Sequence, residues 1–456
     1  MLVIISDLHL TDGTTAKTVS ADAFERFRGR LQELAYFASY RGEPGSYEPI
    51  EQIDLVLLGD ILDVIRSTRW SDEEPGDANY ARPWNNLQDE QERARLVHKV
   101  EQIADGILVK NKDSLKHLRR LSGDKPISLP PATEHGYPAR NQKRLPVETR
   151  IHYLVGNHDW LWHVPGVDFE AIRRKITTAM GLANPAGPYP HDPLESGPIS
   201  RTFRDHRVFA RHGDIYDSFN YDKRGRDYAS LGDAIVIDLI NGFPYEVRKQ
   251  LGDDLPAEFL DGLDEIGNVR PRLLSPIWIQ ALLGQYEIEK STAVEVRRIW
   301  DEITDEMLES DFVRQQDTIS PIDVVDILEM TMKFTRLLSF DSITDLVTWI
   351  TNRVWGGDQS FAKHAISENA YKKRTANYFV YGHTHHYEAV PLAVTQKDGR
   401  AFKQWCFNSG TWHPLYDVTR DGQNFIGHKM FTYLTFYKGD ERKGRQYETW
   451  SGSLYD

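Results

Sequence analysis

Short apolar runs recur along this chain, and each ends in a cluster of aspartate, histidine, asparagine, serine or glycine. The runs occupy residues 2–5, 53–58, 151–155, 208–210, 378–381 and 405–407. Short apolar runs bounded by glycine are typical of buried strands. Polar groups collected beyond strand ends are where α/β sheets place their functional sites. The pattern therefore predicts an α/β fold with a site at the strand ends.

The predicted strands fall in three blocks that together have the size of one domain. The blocks are residues 1–66, 149–220 and 376–456, a discontinuous core of about 210 residues. The first insertion, 67–148, is predicted to be partly helical, with a helical stretch at 88–121. The second, 221–375, is predicted to be an all-helical subdomain, because apolar residues recur there at spacings of three and four. Its helices are expected at 230–240, 275–283, 292–308 and 321–354, the last with a break near Ser339.

Composition narrows the class of protein. The 456 residues include 55 Lys+Arg and 68 Asp+Glu, and the net charge of −13 argues against a protein that coats nucleic acid non-specifically. The single cysteine, Cys406, excludes an intramolecular disulfide and a cysteine-based zinc cluster. No window of about 18 apolar residues occurs, and the N-terminus has no basic region before its apolar run. We therefore expect a cytoplasmic protein without a membrane span.

The polar clusters supply donor groups of the kinds that bind metal ions. The candidates are carboxylates, imidazoles and an amide, without thiolates: Asp7, His9, Asp60, Asn157, His212, His383 and His385. Such donors suit Mn²⁺, Fe, Zn²⁺ or Ni²⁺. A single carboxylate such as Asp60 can bridge two ions. Each cluster alone is common as a turn or cap, but five of them, each behind an apolar run, favour a two-metal centre.

Five motifs in this order resemble the signature motifs of the calcineurin-like metallophosphoesterases. They are Asp7-Leu-His9, Gly59-Asp60-Ile-Leu-Asp63, Gly156-Asn157-His158-Asp159, His212-Gly-Asp214 and Gly382-His383-Thr-His385. The resemblance covers the three core blocks and implies a two-sheet β-sandwich flanked by helices, with metal ions at the strand ends. In the family pattern Asp7, His9 and His385 hold one ion. Asn157, His212 and His383 hold the second, and Asp60 bridges the two.

The activity that the resemblance implies is hydrolysis of a phosphoric ester. A hydroxide held between two divalent ions, most readily Mn²⁺, is a nucleophile at neutral pH. The leaving alkoxide needs a proton, and the resemblance makes His158 the general acid, oriented by Asp63. Asp63 has an alternative interpretation as a helix N-terminal cap. Asp159 and Asp214 are open to a role in holding the histidines.

Two departures separate the chain from the Ser/Thr protein phosphatases of this family. Val64 stands where those enzymes carry arginine, and Asp159 stands where they carry glutamate. The opening Ile-Ser-Asp-Leu-His-Leu and the Gly-Asp-Ile-Leu-Asp motif are instead similar to UDP-2,3-diacylglucosamine hydrolases and the bacterial phosphoesterases around them, which are usually much shorter. The repair-nuclease branch also shares Ser-Asp-x-His.

Residues that follow the second and third motifs are candidates for binding substrate. Arg66 and Arg69 would form a phosphate clamp, and Trp160 would form an aromatic wall. The alternative roles of these residues are surface charge for the arginines and core packing for the tryptophan.

Three functions follow from these observations. The first is a phosphomonoesterase or phosphodiesterase acting on a small molecule, a nucleotide or a lipid-linked phosphate. The second is a nuclease whose helical insertion grips DNA or binds a partner. The third is a catalytically silent scaffold that forms a homo-oligomer or binds a partner protein through that insertion. A complete set of predicted ligands together with His158 counts against the scaffold.

Local charge separates the first two functions. Residues 253–311 contain 15 Asp+Glu and 5 Lys+Arg, so this part of the second insertion would repel a phosphate backbone. The segment is better suited to a lid, a dimer contact or a partner surface. Most of the net charge lies in it, so the acidic total does not exclude a phosphate-bearing substrate at the core. Hydrolysis of a small phosphoester is therefore the expected function. A nuclease that grips DNA through the first insertion, which includes Lys112, Lys116, Arg119 and Arg120, stays the alternative.

Overall fold

The computed structural model describes residues 1–43, 46–270, 272–316, 360–397, 400–419 and 424–453. The helix predicted at 321–354, with its break near Ser339, lies outside these residues. Within them, no helix combines the length and the apolar character needed to cross a membrane. The described chain is mixed α/β, as the sequence predicts, with several sheets and many helices.

The strands are numbered in chain order. They are β1 (Leu2–Ile5), β2 (Gln52–Leu58), β3 (Ser128–Leu129), β4 (Leu145–Pro146), β5 (Glu148–Leu154), β6 (Val208–Ala210), β7 (Val269–Arg270), β8 (Tyr378–Tyr381), β9 (Tyr387–Lys397), β10 (Arg400–Ser409), β11 (Leu415–Val418), β12 (Phe425–His428), β13 (Met430–Phe436) and β14 (Tyr447–Ser453). All six apolar runs of the sequence lie in these strands, one each in β1, β2, β5, β6, β8 and β10.

The helices are numbered in the same way. They are α1 (Ala21–Ala38), α2 (Glu90–Lys110), α3 (Lys112–Ser122), α4 (Val167–Met180), α5 (Gly197–Asp205), α6 (Leu231–Ala234), α7 (Gly242–Leu251), α8 (Ala257–Asp264), α9 (Ser275–Gln285), α10 (Lys290–Glu309), α11 (Asp311–Gln316), α12 (Ala362–Ala365) and α13 (Asn369–Lys372). A π-helical stretch, Ile235–Asn241, joins α6 to α7.

A five-stranded sheet carries three of the predicted strands side by side. Its order is β14-β13-β1-β2-β5, and β1, β2 and β5 run parallel. Every residue of β1 is buried, which is why its sequence is continuously apolar rather than alternating. The charged residue of β2, Asp54, contacts Nε2 of His152 in β5 at 3.1 Å. This pairing compensates the cost of burying the carboxylate.

A four-stranded sheet carries the other three predicted strands. Its order is β6-β8-β10-β9, with β6, β8 and β10 parallel and β9 antiparallel to β10. Parallel strands end at the same edge of a sheet, so the polar residues that follow them are brought together there. This topology, rather than proximity in sequence, gathers the predicted site residues.

One hydrophobic cluster contains side chains of both sheets. Its members include Leu2, Ile4, Val56 and Leu58 of the five-stranded sheet and Tyr378, Val380 and Phe407 of the four-stranded sheet. The alternate residues of β1, Val3 and Ile5, belong to another cluster, which includes side chains of α1, α2, α3 and α4. Both faces of β1 are therefore covered by apolar groups, which accounts for its complete burial.

The first insertion is partly helical, and the helical stretch predicted at 88–121 consists of the two helices α2 and α3. Asp89 caps the start of α2, where its side chain accepts hydrogen bonds from the backbone N–H groups of Gln91 and Glu92. Asn111 separates α2 from α3. Its side-chain Nδ2 donates to the backbone oxygens of Thr11 and Ile107 at 2.8 and 2.9 Å. This contact with the loop after β1 is a tertiary interaction that helical periodicity does not encode.

The prediction that the second insertion is all-helical is wrong at β7. Val269 and Arg270 pair in parallel with Tyr416 and Asp417 of β11, and β11 also pairs with β12. A two-residue strand is too short to have a period, so only its pairing partner reveals it. The predicted helices at 230–240, 275–283 and 292–308 are present, although the first passes from α6 into the π-helical stretch.

The second insertion has a hydrophobic cluster of its own. It includes Phe243, Phe259, Trp278 and Trp300, all buried. Tyr416 of β11 packs against this cluster, with its ring 4.8 Å from that of Trp278. The sheet that contains β7 therefore fixes the insertion against the C-terminal part of the chain.

Helix α1 provides a test of how the core is packed. Phe27 is 1% exposed, and its ring lies 5.1 Å from Trp412 and 6.0 Å from Phe431. We expect Phe27→Ala to reduce the free energy of unfolding by about 3–5 kcal/mol, because it leaves a cavity in a close-packed region. Phe37→Ala on the same helix is the matched control, since Phe37 is 44% exposed. Thermal unfolding of both variants measures the effect, and equal midpoints would contradict this view of the core.

Candidate metal centre

Each predicted ligand follows the C-terminal end of a parallel strand. Asp7 and His9 follow β1, Asp60 follows β2, Asn157 follows β5, His212 follows β6, and His383 and His385 follow β8. The first three of these strands belong to one sheet and the last two to the other. The structure therefore brings together all seven candidates, although they are spread over most of the chain.

The backbone at five of these ligands has left-handed φ angles. The values are 52° for Asp7, 44° for His9, 55° for Asp60, 71° for His383 and 66° for His385. Residues with a Cβ adopt this conformation at a cost of about 1–2 kcal/mol each, and such residues cluster at functional sites. Hydrogen bonds between the loops hold them: the backbone N–H groups of Asp7 and His9 donate to the oxygens of Gly59 and Asp60 at 3.0 and 2.9 Å.

Glycine precedes a ligand in three of the motifs, and close packing explains its presence. A Cβ on Gly59 would lie 2.4 Å from the ring of His212. A Cβ on Gly156 would lie 2.4 Å from Oδ1 of Asp60, and one on Gly382 would lie 2.5 Å from Oδ2 of Asp7. These positions have no room for a side chain, because ligands from other strands occupy the space.

Four buried side chains form the first donor group: Asp7, His9, Asp60 and His385. Nε2 of His9 lies 3.0 Å from Nε2 of His385 and 3.7 Å from Oδ2 of Asp60. Nε2 of His385 lies 3.4 Å from Oδ1 of Asp7. The donor atoms thus converge on one small volume.

A second donor group contains Asp60 again, with His212 and His383. Nε2 of His212 lies 3.3 Å from Oδ2 of Asp60. Asn157 lies between the two histidines, with its Oδ1 3.3 Å from Nε2 of His212 and 2.9 Å from Nδ1 of His383. The Asp60 carboxylate is therefore common to both groups.

These donor atoms have the spacing that a metal ion requires. Bonds of about 2.0–2.2 Å at tetrahedral or octahedral angles place neighbouring donors about 3.0–3.5 Å apart. Most of the distances above fall in or near that range, and the donors are nitrogen and oxygen atoms only. The buried His and Asp groups can therefore hold a metal ion, and their chemistry leaves the identity of that ion open.

Three of the four histidines have an acceptor for the nitrogen that faces away from the donor groups. Nδ1 of His9 contacts Oδ2 of Asp63 at 2.7 Å, and Nδ1 of His212 contacts the backbone oxygen of Leu58 at 3.0 Å. Nε2 of His383 contacts Oδ2 of Asp217 at 2.9 Å. Such acceptors keep the proton on the outer nitrogen and leave the inner one available for a metal ion.

Electrostatics also favours a cation among these groups. Burial raises the pKa of the Asp7 carboxyl to about 6. Burial alone would also raise the pKa of Asp60, but interactions with His212, His158 and His9 together outweigh it and hold that pKa well below its usual value. The interaction with Asp60 in turn raises the pKa of His212 against the effect of burial. The proton on His212 compensates a buried carboxylate, and a divalent ion between the two groups would replace it.

The predicted pair of His158 and Asp63 is formed beside the donor groups. Nδ1 of His158 lies 2.9 Å from Oδ1 of Asp63, and the backbone N–H of His158 donates to Oδ1 of Asp60 at 2.8 Å. Asp63 also accepts a hydrogen bond from the backbone N–H of Arg66 at 2.9 Å. No helix of the described chain begins at Asp63, and the 3₁₀ turn that follows, Thr68–Ser71, is capped by Ser67, so the interpretation of Asp63 as a helix N-terminal cap is wrong. Asp63 therefore combines a turn contact with contacts to two histidines, His158 and His9.

Asp159 and Asp214 contact groups other than the predicted histidine ligands. Asp159 accepts hydrogen bonds from the backbone N–H groups of Gly156 and Ile61 at 2.6 and 2.8 Å, so it ties together the loops after β5 and β2. Asp214 contacts Nε2 of His191 at 2.9 Å and also pairs with Arg226. Both carboxylates stabilise the loops that carry the ligands.

The three candidate substrate residues occupy different environments. Arg66 is buried close to Asp63, with Nε 4.0 Å from Oδ2. Arg69 pairs with Asp12 at 3.3 Å, away from the donor groups. Trp160 is completely buried in the hydrophobic core, and its Nε1 donates to Oδ1 of Asp233 at 3.2 Å. Of the three, Arg66 is the one that the structure brings to the site.

Sequence reasoning missed three residues that contact the site. Asp217 contacts His383, as described above. Nη2 of Arg270 donates to Nδ1 of His385 at 2.7 Å, and Nη2 of Arg272 donates to Nε2 of His158 at 2.9 Å. The two arginines are two of the five basic residues in the acidic segment 253–311. Their positive charge within an acidic segment is the signal that could have singled them out.

No protein-family model matches this chain, and no curated protein is similar to it in sequence. The interpretation of the site therefore rests on its residues and their geometry.

Replacing Gly156 tests whether the close approach of Asp60 and His212 to this glycine matters for metal binding. A Cβ at this position would lie 2.4 Å from Oδ1 of Asp60 and 2.6 Å from Cδ2 of His212, so we expect Gly156→Ala to displace both donors and reduce the bound Mn²⁺ per chain. Gly187→Ala is the matched control, since nothing lies within 4 Å of that Cβ. Metal content after dialysis against buffer is the measurement. Wild-type metal content in Gly156→Ala would contradict the expected displacement.

Asp217 tests the role of the outer hydrogen bonds. We expect Asp217→Ala to weaken Mn²⁺ binding by about 10–100-fold, because loss of an outer acceptor leaves the ring of His383 without its orientation. Asp217→Asn retains an oxygen acceptor and should have a smaller effect, and Asp253→Ala, at an exposed position, should have none. Competition with a fluorescent chelator measures the affinity. Equal affinities for Asp217→Ala and Asp253→Ala would exclude the orienting role.

Proposed function

We propose that this protein is a dinuclear-metal phosphoesterase of the calcineurin-like metallophosphoesterase type. The observation that carries the proposal is the Asp60 carboxylate, which belongs to both donor groups and lies beside the His158–Asp63 pair. In this proposal Asp7, His9 and His385 hold one ion, and Asn157, His212 and His383 hold the other. Asp60 bridges the two.

The packing of the two main sheets supports the fold expected of that family. The hydrophobic cluster that contains side chains of both sheets is what a two-sheet sandwich requires. The helices α1 to α4 contribute to the cluster on the other face of the five-stranded sheet. We propose a β-sandwich flanked by helices on this basis.

Two divalent ions at these donors would lower the pKa of a bound water and offset the charge of a phosphoryl group. We propose Mn²⁺ as the physiological ion, with Fe, Zn²⁺ and Ni²⁺ as the alternatives that the same nitrogen and oxygen donors accept. Asn157 supplies a neutral oxygen donor, so the second group carries less negative charge than the first.

His158 is proposed as the proton donor for the leaving group. Its Nδ1 is held by Asp63 at 2.9 Å, and its Nε2 contacts the Arg272 guanidinium at 2.9 Å. In this proposal the substrate displaces Arg272 from Nε2, and that nitrogen then carries the proton for the leaving group. The backbone N–H of His158 is bonded to Asp60, so the ring has a fixed position relative to the donor groups. Asp63 is a positioning residue in this scheme, since it acts through His158 and His9.

The substrate is proposed to be a small phosphomonoester or phosphodiester, such as a nucleotide or a lipid-linked phosphate. The acidic segment 253–311 disfavours a grip on a nucleic-acid backbone. A substrate panel with Mn²⁺ tests this proposal: bis-p-nitrophenyl phosphate, nucleotides, UDP-sugars, and single- and double-stranded DNA. Turnover of the small esters supports the proposal, and selective turnover of DNA would replace it with a nuclease. Metal binding without turnover of any substrate would favour a scaffold.

His158→Ala tests the proton-donor role. We expect the variant to keep its Mn²⁺ and to lose about 10²–10⁴-fold in kcat on a phosphodiester with an alkyl leaving group. The loss on bis-p-nitrophenyl phosphate should be smaller, because nitrophenolate leaves without a proton. His98→Ala is the control, since His98 is exposed on α2. Equal losses on both substrates would assign His158 to another role.

A further inference from the structure

Three guanidinium groups lie beside the donor groups, and two of them come from the second insertion. Nη2 of Arg272 lies 2.9 Å from Nε2 of His158. Nη2 of Arg270 lies 2.7 Å from Nδ1 of His385. Arg66 lies against Asp63, and its Nη2 donates to Oδ1 of Asn268 at 2.7 Å. The acidic segment thus places two positive charges beside the donor groups.

Arg66 and Arg270 are buried and Arg272 is half-buried, and these three cations lack a carboxylate that is free to pair with them. Among the residues that the structure describes, no carboxylate oxygen lies within 4.0 Å of the Arg270 or Arg272 guanidinium. Asp63 lies 4.0 Å from Arg66, but its oxygens already contact His9 and His158. Nη1 of Arg66 is buried and has no hydrogen-bond partner. Buried charges are normally paired and hydrogen-bonded, so these donors have unused capacity for an anion.

Nη1 of Arg270 donates to the backbone oxygens of Gly267 and Val269 at 3.0 and 2.9 Å. The contacts that Nη2 of Arg270 and Nη2 of Arg272 make with histidine are, in contrast, poor substitutes for an oxyanion. A ring nitrogen of histidine offers a single neutral lone pair, whereas a guanidinium group presents a planar fork of donors suited to two oxygens at once. Phosphate groups match this fork, and arginine is the residue that most often binds them in this way. An incoming phosphate would therefore be a better partner for Arg272 than Nε2 of His158 is.

The backbone that carries these arginines is fixed in place. Val269 and Arg270 form β7, which pairs with Tyr416 and Asp417 of β11. Beyond Arg272, the Ser275 hydroxyl donates to the backbone oxygen of Arg272 at 2.6 Å. The side chains therefore project from an anchored segment, which is what a preformed binding site requires.

We propose that Arg272, with Arg270 and Arg66, forms a subsite for a second phosphate group of the substrate, one that is not hydrolysed. The subsite rests on the proposed function, which puts the reacting phosphate at the donor groups. Because Arg272 contacts Nε2 of His158, the nitrogen assigned to the leaving group, the second phosphate belongs to the leaving-group side. The substrate class is therefore a phosphoester whose leaving group itself carries a phosphate.

Calorimetric titration of the Mn²⁺-loaded full-length protein tests the subsite. The probes are methylphosphonate and methylenediphosphonate, which differ by one phosphonate group and are not hydrolysed, with Mn²⁺ in excess of the probe. We expect the diphosphonate to bind at least about tenfold more tightly than the monophosphonate. Arg272→Gln should remove most of that preference, and Arg272→Lys, which keeps the charge without the fork, should remove part of it.

Arg298→Gln is the matched control. It removes the same charge from the same insertion, but Arg298 is on the exposed face of α10 and pairs with Glu295 and Glu302. This variant should retain the full preference for the diphosphonate. The thermal midpoints of the variants show whether Arg272→Gln folds. If it does not fold, Arg270→Lys is the second test of the subsite.

The outcomes separate the subsite from the proposed function. An unchanged preference in Arg272→Gln, or in Arg270→Lys where the first variant does not fold, would overturn the subsite even if the protein hydrolyses phosphoesters. An arginine-dependent preference in a protein that hydrolyses none of the substrate panel would support the anion site and overturn the proposed function.

Discussion

Three carboxylates, those of Asp7, Asp60 and Asp63, are buried in one small volume, and the rest of the site depends on how their charge is compensated. An isolated buried carboxylate is very costly. Asp63 meets the cost through contacts with His9 and His158, and Asp60 through His212 and the backbone of His158. These partners come from strands of both sheets, so the site forms only when the sheets pack together. A cation at the shared Asp60 would complete the same compensation.

The backbone conformation of the ligands is a second energetic cost of forming the site. Left-handed φ angles at Asp7, His9, Asp60, His383 and His385 turn side chains from adjacent positions toward one point. Glycine at 59, 156 and 382 provides the space that those side chains occupy. Strained conformations persist when the surrounding structure determines them, and here the parallel strands and the hydrogen bonds between their loops do so. The motifs are short because each supplies only one or two ligands at the end of a strand, and three of them also need a glycine directly before a ligand.

The second insertion has two opposite electrostatic characters. Its acidic segment disfavours a nucleic-acid backbone, yet β7 delivers Arg270 and the neighbouring Arg272 to the metal donors. The pairing of β7 with β11 is the physical connection between the insertion and the site. An insertion attached in this way would, in the proposed function, contribute contacts to the substrate without supplying a metal donor.

The sequence by itself determined the six core strands and the residues that gather at their ends, because continuous apolar runs and the polar clusters behind them are local patterns. It also indicated that His158 and Asp63 form a pair. Tertiary structure alone decided the contacts of Asp217, Arg270 and Arg272, the division of the predicted helical stretch at Asn111, and the burial of Trp160 in the core. These features depend on pairing and packing between segments far apart in the chain. A two-residue strand such as β7 has no periodicity of its own, and the partner that stabilises it lies about 150 residues later.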